Sequence, residues 1–347
     1  MSVFEHPEFR GHEEIAFFND VASGLRAIIA IHSTAMGAVA GGGIRMRVYA
    51  NEAQALGDVL RLSRGMTYKS ALAGIRLGGA KSVIIGDPAK DKSPALFAAM
   101  ARAIESFGGR YYAGEDVGTT TADMNEIAKT TRYVAAGDGP DTAPYTADGV
   151  YHAMRVAISR KLGREDFNGV RVALQGVGKV AQRLGARLAK EGARIVAADI
   201  DAEALARAVG DFGATAVGVD EILEEDVDVL APCALGGVLN ERTIPRIKAK
   251  IVCGAANNQL GTDLDDARLA DRGILYMPDY LVNAGGVIVG AAAALDGVQD
   301  ADELSARVAR IAETAERVIE KSERENIGTA RAADRLAEKI IAEKKRQ

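Results

Sequence analysis

The residues best suited to hold a charged ligand form a short glycine motif near the middle of the chain, Gly176-Val177-Gly178-Lys179-Val180-Ala181. An apolar run over 170–174 precedes it, apolar residues at helical spacing follow it, and a second apolar run over 193–198 ends at Asp199. Strand, glycine turn, helix, strand and acid in this order are typical of one βαβ unit of a dinucleotide-binding fold. Gly176 permits the tight turn, and Gly178 lets the backbone approach a pyrophosphate at the helix N-terminus.

Asp199 lies where a carboxylate accepts hydrogen bonds from the adenosine ribose. The same charge repels a 2′-phosphate, so the sequence predicts NAD rather than NADP as the cofactor. The alternative interpretation is an ordinary βα turn followed by a surface aspartate.

Two lysines stand in apolar or glycine-rich contexts, unlike most lysines of this chain. Lys69 ends the segment Gly65-Met66-Thr67-Tyr68-Lys69 after what reads as a turn, and Lys81 follows Gly78-Gly79-Ala80 at the expected start of a strand. A lysine in an apolar cleft beside another cation has a lowered pKa and can act as a base near neutral pH. The second lysine can remain charged and bind a substrate carboxylate. The alternative is that both ammonium groups extend to solvent.

A carboxylate and an amide pair complete the polar candidates. Asp116, in the segment 114–119, is predicted at a strand end before a helix, where sites of α/β proteins form. It could instead be a helix N-cap. Asn257 and Asn258 follow the predicted strand 251–253, where they could bind a carboxamide or close a turn.

Composition excludes several classes of protein. The chain has 347 residues, of which 48% are hydrophobic, and no apolar run approaches the length of about 18 residues that a membrane span needs. A net charge of −5 without a basic stripe argues against nucleic acid, and the N-terminus lacks the features of a secretory signal. The two cysteines and four histidines lack metal-binding spacing, so no metal is expected and the cysteines are interpreted as buried small residues. These features indicate a cytoplasmic protein that acts on a small molecule.

The elements that must position these residues alternate between strands and helices. Strands are predicted at 25–31, 81–86, 111–113, 227–230, 251–253 and 274–276. Helices are predicted after the cap Asn51, from Pro94, and over 121–131, 149–161, 302–323 and 329–345. The stretch 137–148 is rich in Gly, Pro and Asp and is interpreted as a linker. The pattern predicts an α/β protein with a substrate and oligomerisation domain over 1–140, a doubly wound dinucleotide-binding domain over 148–325, and a C-terminal helix over 326–347 that packs back on the first domain.

Six blocks in this order resemble the glutamate/leucine/phenylalanine/valine dehydrogenase family, and the likeness runs from about Gly41 to Gly290. They are Gly65-Met66-Thr67-Tyr68-Lys69, Leu77-Gly78-Gly79-Ala80-Lys81, Gly114-Glu115-Asp116-Val117-Gly118-Thr119, Ala231-Pro232-Cys233-Ala234-Leu235-Gly236, Ala255-Ala256-Asn257-Asn258 and Val282-Asn283-Ala284-Gly285-Gly286. The resemblance implies a two-domain α/β homo-oligomer with the active site in the cleft between an N-terminal substrate domain and a Rossmann domain. It implies oxidation of an L-amino acid by NAD(P)⁺ to a 2-oxo acid and ammonia, and the reverse reaction.

The resemblance also implies roles for individual residues. Lys69 would bind the substrate carboxylate, Lys81 would activate water, and Asp116 would transfer protons to and from the amino nitrogen. Asn257 or Asn258 would orient the nicotinamide or the substrate, and Asn283 would close the cofactor side. The other residues that it assigns are Gly176, Val177, Gly178, Lys179, Val180, Asp199, Ile200, Cys233, Ala234 and Ala255 for the cofactor, and Gly41, Gly42, Met66, Gly114, Val287 and Gly290 for the substrate.

Three glycines bear on the substrate side chain. Gly41 lies in a glycine-rich segment that is interpreted as a turn. The resemblance implies that glutamate-specific members of the family carry a lysine at this position and that leucine-type members carry a bulky aliphatic residue. With Gly114 and Gly290, Gly41 predicts a wide pocket for an aromatic, phenylalanine-like side chain and disfavours glutamate, whose second carboxylate would lack a partner. A neighbour such as Met66 or Val287 could refill the space, so leucine or valine remains the alternative. A catalytically silent NAD-binding regulator and a 2-hydroxy acid dehydrogenase are less consistent with the sequence, because Lys69, Lys81 and Asp116 are all present and no histidine has a suitable setting.

Overall fold

The protein is described by a computed structural model that covers residues 2–137 and 141–346 and divides into two units. One unit comprises Met1–Gly139 and Glu338–Gln347, and the other Pro140–Ala337. In the described parts of the chain, none of the helices combines the length and apolar character that a membrane span requires.

The first unit is built on one mixed sheet. Its strands are β1 (Glu14–Asp20), β2 (Leu25–Ser33), β3 (Ala40–Arg47), β4 (Gly78–Ile85) and β5 (Tyr111–Glu115), and its helices are α1 (Glu52–Ala73), α2 (Pro94–Glu105) and α3 (Thr121–Ala128). The strand order is β1-β2-β4-β3-β5, with β3, β4 and β5 parallel and the pairs β1/β2 and β2/β4 antiparallel. The carboxyl ends of three adjacent parallel strands therefore lie at one edge of this sheet.

Strand alternation gives this sheet two different faces. On β4, Ala80 and Ile84 belong to a core with α2 and α3, whereas Val83 packs with Ala55 and Val59 of α1. Successive side chains of a strand point to opposite faces, so Lys81 shares the α1 face with Val83. The central strands β2 and β4 are covered on both faces, and for this reason they are nearly continuous apolar runs in the sequence.

The second unit is a parallel sheet with helices between its strands. Its strands are β6 (Arg171–Gln175), β7 (Arg194–Ala198), β8 (Thr215–Ala216), β9 (Val229–Pro232), β10 (Ile251–Val252) and β11 (Leu275–Tyr276). Its helices are α4 (Ala143–Leu162), α5 (Lys179–Lys190), α6 (Ala202–Phe212), α7 (Leu264–Asp271), α8 (Asp279–Val282), α9 (Gly285–Asp296), α10 (Ala301–Ala309), α11 (Ile311–Glu325) and the part of α12 (Thr329–Lys345) up to Ala337. The strand order is β11-β10-β9-β6-β7-β8, so the chain starts at the central strand β6, builds the sheet outward on one side and then returns to build the other side. This is the order of a doubly wound dinucleotide-binding sheet and confirms the predicted fold class.

Several predicted boundaries are wrong. The predicted linker 137–148 is helical from Ala143 onward, because Pro144 fits the first turn of α4; residues 138–140 of that linker lie outside the described part of the chain. The glycine-rich segment at Gly41 is not a turn but part of β3, and β1 was not predicted. The single helix predicted over 302–323 is two helices that meet at Arg310, and the helix predicted over 121–131 ends at Ala128.

The C-terminal helix α12 contributes to both units. Its residues up to Ala337 cluster with the second unit and those from Glu338 with the first. Within the first unit, the Tyr68 hydroxyl donates a hydrogen bond to Glu338 Oε1 over 2.9 Å. Its bounds agree with the helix predicted over 329–345.

Candidate functional site

Glycines bring the polar groups of the first unit together on the α1 face of its sheet. A Cβ on Gly79 would lie 2.1 Å from the backbone nitrogen of Thr67, so α1 approaches β4 at a distance that only glycine allows. Gly42 plays the same part between strands, since its Cβ would lie 1.7 Å from the Ala80 carbonyl oxygen. These close contacts set the α1 turn that carries Lys69 against the part of β4 that carries Lys81.

Lys81 and Asp116 form a direct ion pair, although they are 35 positions apart in the sequence. Lys81 Nζ lies 2.6 Å from Asp116 Oδ2, and Arg45 Nε approaches the same oxygen at 3.3 Å. Lys81 is in the interior of β4 rather than at its start as predicted, because β4 begins at Gly78. Asp116 follows the last residue of β5, as the sequence predicts.

Asp116 is not a helix cap. Thr120 caps α3 by accepting a hydrogen bond from the Asp123 amide, so the alternative interpretation of Asp116 is wrong. The Asp116 amide donates to Thr119 Oγ1 over 3.0 Å, and that hydroxyl donates to the Ile44 carbonyl over 2.8 Å. This pair of hydrogen bonds fixes the carboxylate-bearing loop to β3.

Burial and charge act on the ionisation of this pair. Loss of hydration lowers the pKa of Lys81, and the positive charge of Arg45 lowers it further, while the Asp116 carboxylate opposes both. Burial by itself would raise the pKa of Asp116, but Lys81 and Arg45 outweigh it and hold that pKa below its usual value. The site therefore combines an amine that loses its proton more readily than usual with a carboxylate that stays ionised.

Lys69 lies inside α1 and not in the predicted turn, because α1 continues to Ala73. Lys69 is 9% exposed and Lys81 7%, so the alternative that both extend to solvent is wrong. Two residues before Lys69, the Thr67 Oγ1 atom lies 2.8 Å from His32 Nδ1, and this contact ties α1 to β2. Met66 is half-buried on the same helix.

Arg45 and Asp58 were not identified from the sequence. Arg45 Nη1 lies 3.2 Å from Asp58 Oδ2, and the Tyr49 hydroxyl donates to that oxygen over 2.8 Å. The signal was present in β3, where Gly41, Gly43 and Arg45 alternate with buried apolar residues. Recognising β3 as a strand would have placed Arg45 on the face that carries Lys81.

The space beside Gly41 is filled by a neighbour that the sequence did not suggest. A Cβ on Gly41 would lie 2.6 Å from Cδ2 of Leu77, the buried residue that precedes β4. By contrast, a Cβ on Gly114 of β5 would meet no atom of the described chain within 4 Å. Leu77 thus supplies the aliphatic side chain that Gly41 lacks.

In the second unit, the residues assigned to the cofactor gather at the carboxyl ends of the parallel strands. Gly176, with φ of 91°, follows β6, and its Cβ would lie 2.6 Å from that of Ala234 in the loop after β9. The loop after β9 contacts in turn the loop after β10, since the Gly237 amide donates to the Asn258 carbonyl over 2.7 Å. Cys233 and Ala255 lie in the same two loops. Both cysteines are free; Cys253 is buried as predicted, whereas Cys233 is only half-buried.

The glycine motif opens α5 without a side-chain cap. Gly178 is the N-cap residue, it is exposed, and a Cβ there would meet no described atom within 4 Å. Lys179 is exposed and Val180 half-buried in the first turn. The N-terminal end of α5 therefore has no side-chain cap and has open space beside Gly178, as an anion site requires.

Asp199 is held by two backbone amides. The Val177 amide donates to its Oδ2 over 2.7 Å and the Asp201 amide to its Oδ1 over 2.9 Å. The hydrogen bond from the Val177 amide therefore ties the glycine motif to the end of β7. Ile200, the next residue, is 93% exposed, an apolar side chain beside an acidic one at the strand end.

Three asparagines organise the loop after β10. Asn283, at the end of α8, donates from Nδ2 to Asn257 Oδ1 over 2.9 Å and to the Ala255 carbonyl over 3.1 Å. Asn258 has φ of 54° and its amide donates to Asp279 Oδ2 over 2.7 Å, so it does close a turn. Val287 and Gly290 lie in the following helix, α9, and both are half-buried.

Two stretches of the chain, which together make up most of its length, match two domains of one family. Residues 12–133 match the Glu/Leu/Phe/Val dehydrogenase dimerisation domain. Residues 200–347 match the Glutamate/Leucine/Phenylalanine/Valine dehydrogenase domain.

Individual relatives share the whole length. The chain is 47% identical to leucine dehydrogenase of Bacillus cereus, over 99% of this chain and 94% of the relative. It is 44% identical to valine dehydrogenase of Streptomyces albus, over 97% of this chain and 94% of the relative. Among solved structures, L-tryptophan dehydrogenase from Nostoc punctiforme superposes with a TM-score of 0.85 at 40% identity, covering 96% of this chain and 97% of that one.

Proposed function

The chain belongs to the glutamate/leucine/phenylalanine/valine dehydrogenase family and is an amino acid dehydrogenase, and we propose that it oxidises branched-chain L-amino acids with NAD. The products are the 2-oxo acid and ammonia, and the reverse reaction is reductive amination. The relatives named leucine and valine dehydrogenase support this substrate class over the aromatic one that the sequence predicted.

The observation that carries the substrate class is the contact of Leu77 with Gly41. The aromatic expectation rested on empty space beside Gly41, Gly114 and Gly290. At Gly41 the Leu77 side chain occupies that space, with its Cδ2 atom 2.6 Å from an ideal Cβ. An aliphatic surface favours a branched aliphatic substrate, because a side chain that fills the space against it makes van der Waals contacts that a void would lose. The space beside Gly114 and Gly290 stays open, which is consistent with substrates larger than valine.

The proposed chemistry uses the first-unit ion pair. NAD⁺, when bound, supplies the acceptor for the hydride that leaves the substrate Cα. Lys81, with its lowered pKa, takes a proton from the water that adds to the resulting iminium carbon. Asp116, 2.6 Å from Lys81, exchanges protons with the substrate nitrogen as it leaves as ammonia, and Lys69 binds the α-carboxylate.

The described residues of the second unit fit NAD. The uncapped N-terminus of α5 and the space above Gly178 suit a pyrophosphate. Asp199 suits the ribose hydroxyls, and the exposed Ile200 side chain offers an apolar surface to an adenine ring. Asn257, with its amide oxygen bonded to Asn283, is oriented to donate from its amide nitrogen to a carboxamide oxygen.

We also propose that the protein is a homo-oligomer. The match of residues 12–133 to a domain described as a dimerisation domain supports this, and the family resemblance agrees.

The function is tested by NADH formation with a panel of L-amino acids, namely leucine, valine, phenylalanine, tryptophan and glutamate, each with NAD⁺ and NADP⁺. We expect kcat/KM to be highest for leucine or valine with NAD⁺. A higher kcat/KM for phenylalanine or tryptophan would restore the aromatic interpretation, and the best turnover with glutamate would contradict the assignment of the pocket.

A further inference from the structure

Behind the ion pair of Lys81 and Asp116 lies a second, buried ion pair. Arg45 is 9% exposed and bridges two carboxylates, with Nε 3.3 Å from Asp116 and Nη1 3.2 Å from Asp58. Four charged groups therefore stand in a row, Lys81, Asp116, Arg45 and Asp58, with alternating sign. The row is anchored at its far end by the Tyr49 hydroxyl on Asp58.

The row places two cations on one oxygen. Lys81 Nζ and Arg45 Nε both contact Asp116 Oδ2, so each competes with the other for the same negative charge. An arginine does not give up its proton under ordinary conditions, whereas a lysine does. Of the two cations, it is therefore Lys81 whose proton the arrangement makes easier to remove.

We propose that Arg45, oriented by Asp58, is a positioning residue that keeps Asp116 ionised and weakens the hold of Lys81 on its proton. This inference rests on the proposed function only where it predicts rates. Its effect on Lys81 follows from the geometry of the four charges and can be measured without turnover.

The charged and titratable groups around Lys81 come from each packed element. Arg45 comes from β3 and Asp116 from the loop after β5. Asp58 comes from the first half of α1, and Lys69 lies near the C-terminal end of the same helix. Arg61 contacts Asp58 at 3.1 Å, but its side chain is 45% exposed, so solvent screens its charge. The Tyr111 hydroxyl donates to the Gly42 carbonyl from β5 and its pKa is raised by burial, so it stays neutral.

The directions of the electrostatic effects are opposite for the two members of the second pair. Desolvation is the largest cause that lowers the pKa of Lys81. The charge of Arg45 lowers this pKa further, and the charge of Asp58 raises it. Replacing Arg45 by a neutral residue should therefore strengthen proton binding at Lys81. Replacing Asp58 should weaken it, since Arg45 then turns wholly to Asp116.

The experiment measures proton binding at Lys81 by competitive acetylation of the full-length protein. Trace acetic anhydride reacts only with the neutral amine, and mass spectrometry of the peptide that contains Lys81 gives the extent of reaction against pH. We expect the titration of Lys81 to move up by about one pH unit in Arg45→Gln and down in Asp58→Asn, as neighbouring charges typically cause shifts of this size or more. Arg61→Gln, the solvent-screened control, should leave it nearly unchanged.

A purely structural role for these residues predicts a different result. Loosening the site would admit water and move Lys81 toward the ordinary lysine pKa in both variants, so an upward shift in Asp58→Asn would overturn the proposal, as would no shift in either. If Arg45→Gln does not fold, the near-isosteric Asp58→Asn decides by itself.

Activity separates charge from position. Because the base must be neutral, kcat/KM for amino acid oxidation falls as pH drops below the pKa of Lys81, and this acid limb should follow the acetylation curve in each variant. Arg45→Lys keeps the charge but cannot bridge two carboxylates with one fork. We expect its acid limb to stay in place while kcat falls about tenfold. Failure to oxidise any amino acid would contradict the proposed function and leave the acetylation result to judge this inference independently.

Discussion

The two units hold their reactive groups by different physical means. In the first unit, Lys81 and Asp116 are positioned by ion pairs between side chains on β4, β3, α1 and the loop after β5. In the second, the glycine motif and Asp199 are positioned by backbone conformation and backbone amides. The first arrangement is sensitive to charge and pH, and the second to the size and backbone freedom of single residues.

This difference has a chemical reason. Proton transfer needs groups whose affinity for a proton is tuned, and burial beside other charges provides that tuning. Binding of a dinucleotide needs an unhindered approach of backbone amides to an anion, and glycine at a helix N-terminus provides it. Each unit therefore shows the kind of contact that its proposed task requires.

The largest expected effect is loss of turnover on removal of the base. Lys81→Met keeps an apolar side chain of similar length on β4 but removes the amine, so kcat should fall about 100- to 10,000-fold, the usual contribution of general base catalysis. Because Lys81 is in a different unit from the glycine motif, the dissociation constant of NADH, measured by fluorescence titration, should change little. Asp116→Asn should behave in the same way. Retention of most of the wild-type kcat in either variant would contradict the assigned roles.

The same difference explains how much could be predicted from the sequence. The nucleotide site is local, since Gly176 to Asp199 is one continuous segment whose strand, turn and helix can each be recognised. The first-unit site is not: Arg45, Asp58, Lys81 and Asp116 come from four elements, and only the sheet order brings them together. Lys81 and Asp116 were each singled out from their sequence context and received their roles through family resemblance, whereas their partners Arg45 and Asp58 were missed.

Glycine was the main source of error in the first unit. The run Gly41-Gly42-Gly43 was interpreted as a turn, yet these residues are in β3, where close approach of Ala80, Leu77 and Asp116 excludes a side chain. A sequence pattern cannot tell a glycine needed for a turn from one needed for contact between elements, because both depend on the absence of a Cβ. Because Gly41 was not recognised as a strand residue in contact with the segment before β4, Leu77 could not be recognised as the side chain that occupies the space beside it.

A pair of glycine variants tests whether backbone freedom or open space matters in the second unit. Gly176→Ala places a side chain at φ of 91° and within 2.6 Å of Ala234 Cβ, so the free energy of unfolding should fall by about 1–3 kcal/mol. Gly178→Ala, at φ of −69° with nothing nearby, should keep wild-type stability and yet weaken NADH binding about tenfold or more, because its methyl group enters the space assigned to the pyrophosphate. Thermal unfolding and fluorescence titration measure the two effects. Equal NADH affinity of Gly178→Ala and wild type would place the pyrophosphate elsewhere.

The next effect concerns the substrate side chain. Leu77→Ala removes the aliphatic group beside Gly41, so the ratio of kcat/KM for phenylalanine to that for leucine should rise by about 1–3 kcal/mol in free energy, the range in which apolar pockets discriminate by volume. Leu96→Ala, an equal truncation in α2, is the control that should lose stability without changing the ratio.

The reciprocal substitution tests the same contact. Gly41→Leu alone should perturb the site, because its side chain meets Leu77, whereas Gly41→Leu combined with Leu77→Ala moves the aliphatic group across the contact. We expect the double variant to recover the preference for leucine. A ratio that Leu77→Ala leaves unchanged would mean that Leu77 does not face the substrate.

The smallest effect is expected at Asp199, and the reason again lies in backbone amides. Two of them, from Val177 and Asp201, already donate to its carboxylate and spread its charge, so its repulsion of a 2′-phosphate is weaker than that of an unpartnered carboxylate. Asp199→Asn removes the charge but keeps an oxygen acceptor of the same shape, and we expect the ratio of kcat/KM for NAD⁺ to that for NADP⁺ to fall only about tenfold, or about 1.4 kcal/mol. Steady-state kinetics with both cofactors measure the ratio, and Asp201→Asn, a change at the neighbouring cap of α6, is the matched control that should leave it unchanged. A wild-type enzyme that uses both cofactors equally would show that Asp199 serves the loop through Val177 and has no part in selecting the nucleotide.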